Sequence, residues 1–208
     1  MLCIYSITII MPLDKTKFKM ITICLVRHGE TAWNIQGRLQ GRKDVELNNN
    51  GRNQAMACAE YLKKEPWDTI VTSPLKRAKE TAFIIGKIIG INDIYILDNF
   101  IERDFGSASG LLYEEKKMKF PDDAIFDEED WSSFEDRVAK GIKFLINKYN
   151  NKKIIVVTHA GVISSVLPMI SNGEFKLKGV KLKNTCINII NYDKGKWKVT
   201  LYNYDVMK

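Results

Sequence analysis

Two kinds of hydrophobic pattern alternate along the chain. A compact, partly β-branched apolar run at residues 21–26 predicts a buried strand. Further strands are predicted at residues 68–72, at 94–97 and at the strongly hydrophobic run 153–158. Between these runs, apolar residues recur at spacings of three and four positions, which is typical of amphipathic helices. Strands that alternate with helices predict an α/β domain, with three α/β/α layers around a mostly parallel central sheet.

Local signals predict where the helices begin and end. Three of the predicted helices span residues 54–63, 74–89 and 133–149, and a fourth begins near residue 161. A polar turn at 48–51 precedes the first helix, and Pro74 is placed in the first turn of the second, which Gly90 ends. Ser133 is predicted to cap the third helix. The fourth is expected to stop within residues 168–173.

The end of the chain predicts a β-hairpin, because residues 186–192 and 196–204 flank the turn Asp-Lys-Gly. Without a repeat or a low-complexity linker, we predict one domain over residues 20–208. Residues 1–19 are predicted to be a loosely attached N-terminal extension, with an extra edge strand as the alternative. The irregular, acidic region of about 106–131 predicts a small cap insertion.

Composition and charge exclude several classes of function. The chain has 208 residues, of which 45% are hydrophobic and 27% charged, and this rules out global disorder. The longest apolar stretch is interrupted and too short to span a membrane. The formal charge is +7, but no run of five like charges occurs. We therefore expect a solvated surface, not a nucleic-acid stripe, and the charge also suits an anionic small substrate.

The counts of cysteine and histidine narrow the chemistry further. The four cysteines lie far apart without a CxxC pair, so we expect neither a zinc ribbon nor a disulfide scaffold, and a reducing cytoplasm is the simplest location. Only two histidines are present, too few for a dinuclear metal centre. The acidic residues 127–130 could suggest a cation site, but a solvated acidic face is the expected structure.

Four chemically active side chains follow the predicted strands within a few positions. They are His28, Arg77, Glu102 and His159. In an open α/β sheet, ligands bind beyond the carboxyl ends of the strands. We therefore expect these four side chains to converge on one crevice.

Such a set is suited to phosphoryl transfer. Arg27 and Arg77 offer planar forks of donors for a phosphate. Histidines beside two fixed positive charges have lowered pKa values, so a neutral imidazole can attack phosphorus and form a phosphohistidine. Glu102 is the candidate proton donor to the leaving group. Two alternatives stay open, namely a simple ion pair between Glu102 and Arg103, and Asp104 as the acid.

Several motifs also resemble those of a known family. They are RHGETAWN at 27–34, GRLQG at 37–41, DVEL at 44–47, SPLKRAKETA at 73–82, ERDFG at 102–106 and VTHAG at 157–161. In this order, over about residues 20–205, they resemble the histidine phosphatase superfamily, also called the phosphoglycerate mutase-like family.

The resemblance implies a role for each matching residue. It implies His28 as the nucleophile and Glu102 as the proton donor. The mechanism described above requires no metal and no cofactor. The implied phosphate- and substrate-binding residues are Arg27, Asn34, Arg77, His159, Gln40 and Gly41. The chain departs from the family at residues 107–110 and 131–133, where a usual Trp-Glu pair and a usual Gly-Glu-Ser are missing. Both departures lie at the predicted pocket rim, so the substrate stays open.

The sequence therefore predicts a cytoplasmic, metal-independent phosphomonoesterase that acts on a small phosphorylated metabolite through a phosphohistidine. An α-ribazole phosphatase and a broad-specificity sugar or phosphoglycerate phosphatase are the candidates. One alternative is a cofactor-dependent phosphoglycerate mutase, which the short spacing of 57 positions between Glu102 and His159 disfavours. Another is a catalytically silent phospho-ligand-binding protein. We expect no nucleic-acid or membrane partner, and the sequence does not decide whether the protein forms a homodimer.

Overall fold

The computed structural model describes residues 20–121, 127–171, 173–175 and 180–208. The predicted N-terminal extension, residues 1–19, lies outside the described residues. So does a part of the predicted cap, residues 122–126. The division into an extension and one domain over residues 20–208 stays a prediction.

A six-stranded sheet lies at the centre of the described residues. Its strands are β1 (Met20–Arg27), β2 (Thr69–Thr72), β3 (Ile94–Ile96), β4 (Lys153–Thr158), β5 (Ile187–Asp193) and β6 (Lys196–Tyr204). Their order across the sheet is β3-β2-β4-β1-β5-β6. The first four strands of that order are parallel to one another, whereas β5 and β6 are antiparallel and form the predicted hairpin.

Helices cover both faces of this sheet. The α-helices of the described residues are α1 (Ala32–Ile35), α2 (Asn49–Leu62), α3 (Lys76–Ile89), α4 (Tyr113–Lys119), α5 (Trp131–Lys148) and α6 (Ala160–Ile170). One hydrophobic cluster joins the sheet to α5 and α6, with Phe134 and Val162 fully buried. A second cluster joins the opposite face to α2 and α3, with Ala59 and Ala82 fully buried. The predicted three-layer fold is therefore confirmed.

Strand β1 shows why its sequence is a continuous apolar run. Ile23 and Leu25 belong to the cluster under α5 and α6, whereas Cys24 and Val26 belong to the cluster under α2 and α3. Successive side chains of a strand point to opposite faces. A strand that is covered on both faces therefore needs apolar residues at every position.

Two helices begin further upstream than predicted, because their caps lie further upstream. The side chain of Asn48 accepts a hydrogen bond from the backbone N–H of Gly51 (2.7 Å), so residues 48–51 form the cap and first turn of α2 and not a separate turn. Helix α5 is capped by Asp130, whose Oδ1 accepts from the N–H of Ser133 (2.9 Å). The prediction that Ser133 is the cap was wrong.

One proline lies at a position that differs from the prediction, because Pro74 precedes α3 entirely and Leu75 is the N-cap. Pro168 lies inside α6, which ends at Ile170, within the predicted range of 168–173. A proline so close to a helix end removes a single hydrogen bond, and the apolar burial of this last turn holds it in place. Gly90 ends α3 in the left-handed conformation, as predicted (φ 81°).

The region predicted to be irregular, residues 106–131, is partly helical. Its described part contains a 3₁₀ turn at Gly106–Ala108 and the helix α4. Its acidic stretch is not simply solvated, because the carboxylate of Glu128 accepts from Lys116 Nζ (2.8 Å) and pairs with Arg103 (3.1 Å). Among the helices of the described residues, none is both long and apolar enough to cross a membrane.

Candidate active site

Both histidines lie side by side at the carboxyl ends of neighbouring parallel strands. His28 follows β1 directly and His159 follows β4 directly. The backbone N–H of His28 donates to the carbonyl of Thr158 (2.9 Å), and the two ring centroids are 5.3 Å apart. Both side chains are buried. The parallel pairing of β1 with β4 thus brings together the only two imidazoles of the chain.

One hydrogen bond determines which nitrogen of His28 carries the proton. Its Nδ1 lies 2.7 Å from the carbonyl oxygen of Gly29, and because a carbonyl can only accept, Nδ1 is the donor. The lone pair of the neutral ring is therefore on Nε2. Burial, followed by the charges of Arg77 and Arg27, holds the pKa of His28 well below its ordinary value. Near neutral pH, Nε2 is thus an available nucleophile.

His159 is oriented by a hydroxyl group. Its Nε2 lies 2.7 Å from Ser73 Oγ, which itself accepts from the N–H of Leu75 (3.4 Å). The Ser73 hydroxyl can then donate to Nε2, and this leaves the proton of the neutral ring on Nδ1. Burial, with the charge of Arg77 as the next cause, lowers the pKa of His159 well below its ordinary value. His159 therefore presents an uncharged N–H group.

Arg77, in the first turn of α3, is held by backbone carbonyls. Its Nη2 donates to Gly41 O and its Nη1 donates to Lys43 O, both at 2.8 Å. The side chain is buried, and burial lowers the pKa of Arg77 to about 10, although the charge of Glu102 acts in the opposite direction. The guanidinium therefore stays charged at neutral pH.

Arg27, the last residue of β1, supplies a second cation beside the histidines. Its Nη1 donates to the carbonyl of Leu182 (2.6 Å). Among the described residues, no partner accepts a hydrogen bond from the buried Nε of Arg27, the buried Nε of Arg77 or the buried Nδ1 of His159. Buried donors are normally paired. Three unpaired donors beside two positive charges fit an anion with several acceptor oxygens, such as a phosphate.

Glu102 extends from the loop after β3 to the start of α6. Its Oε1 accepts from the N–H of Arg103 (2.9 Å) and its Oε2 accepts from the N–H of Gly161 (3.2 Å). A Cβ on Gly161 would collide with this carboxylate. The close approach of Glu102 to the helix therefore requires a glycine at position 161.

The two alternatives for Glu102 have different geometries. Arg103 forms no ion pair with it, because its Nε donates to Glu129 O (2.7 Å) and its Nη2 pairs with Glu128. Asp104, the other candidate acid, accepts from the N–H of Gly106 (2.9 Å) within its own loop. Of these carboxylates, Glu102 is the one that contacts the start of the helix that follows His159.

The loop that contains Gln40 and Gly41 supports Arg77. Gly41 accepts from the guanidinium, as described above, and has a φ of +51°, where a side chain is disfavoured. A Cβ at Gly41 would also lie 3.0 Å from the backbone N of Phe105. Gln40 is buried, and its Oε1 has no hydrogen-bond partner in the described part of the chain.

Asn34 contacts the His28 segment through another side chain. Its Oδ1 accepts from the backbone N–H of Thr31 (3.1 Å), where it completes a capping box, and from Asn184 Nδ2 (3.2 Å). The same Nδ2 lies 3.0 Å from the carbonyl of His28, to which it also donates. The described hydrogen bonds of Asn34 thus place it beside the backbone of His28, and none of them joins it to the ring.

Comparison with protein families agrees with this arrangement. The family model described as the histidine phosphatase superfamily (branch 1) matches residues 23–205. This chain belongs to the histidine phosphatase superfamily.

Several proteins similar to this histidine phosphatase are named phosphatases, and others are named phosphoglycerate mutases. It is 41% identical to the "Uncharacterized phosphatase PhoE" of Bacillus subtilis (strain 168), over 88% of this chain and 95% of that protein. It is 34% identical to a "Metal-independent phosphoserine phosphatase" of Arabidopsis thaliana, over 88% and 81%. A mutant phosphoserine phosphatase of Entamoeba histolytica, solved in complex with phosphoserine, superposes with a TM-score of 0.75 at 30% identity, over 88% and 96%. The predicted fold and the predicted class of enzyme, a phosphomonoester hydrolase, are confirmed.

Several residues that support the site of this histidine phosphatase were not predicted to do so. Ser73 orients His159, and Thr81 Oγ1 accepts from the N–H of Gly29 (3.0 Å) next to the nucleophile candidate. Both lie within the motif at 73–82, and Ser73 directly follows β2, which is a signal that sequence reasoning could have used. Asn184 follows no strand and matches no motif, so nothing in the sequence pointed to it.

Proposed function

We propose that this phosphatase hydrolyses phosphomonoesters in two displacements, through a phosphohistidine at His28 and without a metal ion. The observation that carries the proposal is the state of His28. Its Nδ1 is engaged by Gly29 O, its pKa is low, and Nε2 is left available beside the cations Arg27 and Arg77. A neutral imidazole in such surroundings is equipped to attack an electrophilic phosphorus.

In the first displacement, Nε2 of His28 attacks the phosphorus and the P–O bond of the ester breaks. Arg27, Arg77 and His159 donate to the phosphoryl oxygens and stabilise the charge that spreads over them. The leaving oxygen takes a proton from Glu102.

The second displacement restores the enzyme. A water molecule attacks the phosphorus of the phosphohistidine, the N–P bond breaks, and the electron pair returns to Nε2 of His28. Glu102 accepts the proton that the water loses. The products are inorganic phosphate and an enzyme in its starting protonation state, so the cycle needs no further reactant.

A groove beside the site supports a small, polar substrate. It has a volume of about 390 Å³, and the charged residues that line it are Arg42, Lys43, Asp104 and Asp127. None of the proposed catalytic or phosphate-binding residues lines this groove, but Lys43, which does, accepts a hydrogen bond from Arg77 through its carbonyl (2.8 Å). A groove with charges of both signs suits a substrate that carries an ammonium and a carboxylate, and two of the relatives above are phosphoserine phosphatases. Phosphoserine is therefore our first candidate, followed by α-ribazole phosphate, sugar phosphates and phosphoglycerates.

A panel of phosphomonoesters tests the proposal. Phosphate release is measured for the wild type, for His28→Ala and for Lys140→Gln, all with EDTA present. Lys140 pairs with Asp136 on the exposed face of α5 and serves as the control. We expect full activity of the wild type and the control, no activity of His28→Ala, and a base-stable, acid-labile phosphoenzyme by mass spectrometry. Activity that survives His28→Ala, or that EDTA abolishes, contradicts the mechanism.

The same preparation separates the two rival functions. Interconversion of 2- and 3-phosphoglycerate that depends on added bisphosphoglycerate would identify a mutase. A wild type that binds phosphate esters but releases no phosphate from any of them would identify a binding protein.

A further inference from the structure

The guanidinium of Arg137, on α5, makes several hydrogen bonds to the loop that carries Glu102. The guanidinium of Arg137 has five N–H groups, and each has an acceptor. Nη1 donates to the carbonyls of Asn99 (3.0 Å) and Ile101 (2.7 Å), and Nη2 donates to the carbonyl of Glu102 (3.0 Å). The other two N–H groups bind both carboxylate oxygens of Glu129 (2.6 and 2.9 Å). Three carbonyls of one short loop thus converge on one cation.

Glu129 extends this attachment to the other side of Glu102. Its Oε2 also accepts from the backbone N–H of Asp104 (3.2 Å), and its Oε1 pairs with Arg42 (3.1 Å). The Arg137–Glu129 pair therefore binds the backbone on both sides of Glu102, at residues 99–102 and at residue 104. The side chains of both partners are mostly buried, at 18% and 12% exposure, so water competes poorly for these hydrogen bonds.

The position of Glu102 depends on this attachment. Its carboxylate has to stay against the N-terminus of α6, at 3.2 Å from the N–H of Gly161. Neither its loop nor the 3₁₀ turn at Asp98–Phe100 belongs to the sheet. Without Arg137, three carbonyls would lose their donors. The loop would keep the hydrogen bond from Thr158 Oγ1 to the carbonyl of Phe100 (2.9 Å) and the buried Phe100 ring, but the backbone of residues 101–102 could shift relative to α6.

We propose that Arg137 is a positioning residue, which holds the loop 99–102 so that Glu102 can deliver its proton to the leaving group. The proposal rests on the proposed function, because it assigns Arg137 a task only if Glu102 is the acid. Arg137 acts through the backbone and does not touch the substrate. Its effect should therefore appear in the proton transfer and not in phosphate binding.

Two substrates distinguish these effects. An alkyl phosphate such as phosphoserine has a poor leaving group, whose departure depends on the acid. 4-Nitrophenyl phosphate has a good leaving group, which departs with very little help from a general acid. The kcat and KM of both are measured for the wild type, Glu102→Gln, Arg137→Gln and the double variant, with Lys140→Gln as the control on the same helix.

We expect Glu102→Gln to lower kcat for the alkyl phosphate by about 100-fold or more, the size of a general-acid contribution, with a far smaller loss for the aryl phosphate. Arg137→Gln should show the same selective loss, of up to about 100-fold, with KM little changed, because a misplacement of about 1 Å has that effect. The double variant should be no worse on the alkyl phosphate than Glu102→Gln alone, because both changes remove the same proton transfer.

If Arg137→Gln lowers kcat equally on the two substrates, or if the losses of kcat add up in the double variant, Arg137 has a merely structural role. This result would overturn the inference about Arg137 but not the proposed function. Equal losses of Glu102→Gln on the two substrates would overturn the proposed acid and this inference with it. Arg137→Lys keeps the charge but offers three donors at one point, so a wild-type ratio of the two activities in that variant would also contradict us. If Arg137→Gln does not fold, Glu129→Gln decides the same comparison, with a smaller selective loss expected.

Discussion

The stability of this protein should depend on pH between about 7.5 and 5.5, and the cause should be its two histidines. Burial and the neighbouring arginines lower the pKa of both rings in the folded state. In the unfolded chain the same rings titrate near pH 6.5. As the pH falls through that value, the histidines bind protons in the unfolded state but not in the folded state. The free energy of unfolding must therefore decrease.

The magnitude follows from the number of groups. Well below the unfolded pKa, each neutral buried histidine contributes a slope of about 1 kcal/mol per pH unit, and between about pH 7.5 and about pH 5.5 the two together remove about 3 kcal/mol. That is a large part of a typical stability of about 5–15 kcal/mol. Since the chain contains only two histidines, no other imidazole can contribute. The carboxyls with shifted pKa values, such as Glu129 and Asp130, are shifted downward and titrate below this window.

Urea denaturation across this pH range measures the effect, in buffers without phosphate or sulfate, because a bound anion would favour protonated rings. His28→Asn and His159→Asn should each remove about half of the slope, and the double variant should remove nearly all of it. A wild type whose free energy of unfolding is independent of pH, or a slope that persists in the double variant, would refute the claim that both rings are neutral in the folded protein.

Substitutions at two other positions test the geometry of the site. In Gly161→Ala the new Cβ has to push the carboxylate of Glu102 back by about 1 Å to an ordinary contact distance, so kcat for an alkyl phosphate should fall by about 100-fold. The melting temperature should hardly change, because the displaced group is the end of a flexible side chain and alanine favours a helix, and a variant with full activity would show that Glu102 acts elsewhere. In Arg77→Lys the two hydrogen bonds to Gly41 O and Lys43 O cannot both be kept, so KM should rise by about 10- to 100-fold with a smaller change in kcat. Steady-state kinetics checks this, and an unchanged KM would mean that Arg77 does not bind the phosphoryl group.

The convergence of the site could be predicted from the sequence because a parallel sheet determines it. His28 and His159 each follow an apolar strand, and parallel neighbouring strands end at the same edge. Arg77 and Glu102 follow β2 and β3, which belong to the same parallel set. This step needed only the existence of the strands, which apolar runs indicate, and their parallel direction, which the alternation of strands with helices indicates.

The supports of the site could not be predicted, because their partners are backbone atoms far away in the chain. Arg137 binds the carbonyls of residues 99–102, and a carbonyl has no sequence signature. Asn184 binds the carbonyl of His28, and no sequence motif could predict this contact for the same reason. The starts of α2 and α5 were predicted a few residues too late. Asn48 and Asp130 are recognised as caps only from the backbone N–H groups that donate to them in the structure.

The acceptors of each arginine separate the cations that can bind substrate from those that hold the fold. Arg27 and Arg77 are held by carbonyl oxygens, and neither forms an ion pair with a carboxylate of the described residues. A carbonyl orients a guanidinium without cancelling its charge, so the full charge remains available to a phosphate. Arg137, in contrast, faces both oxygens of Glu129. Glu129 balances much of this charge, although Arg137 still helps to lower the pKa of His159. The five hydrogen bonds of Arg137 are what a positioning residue requires.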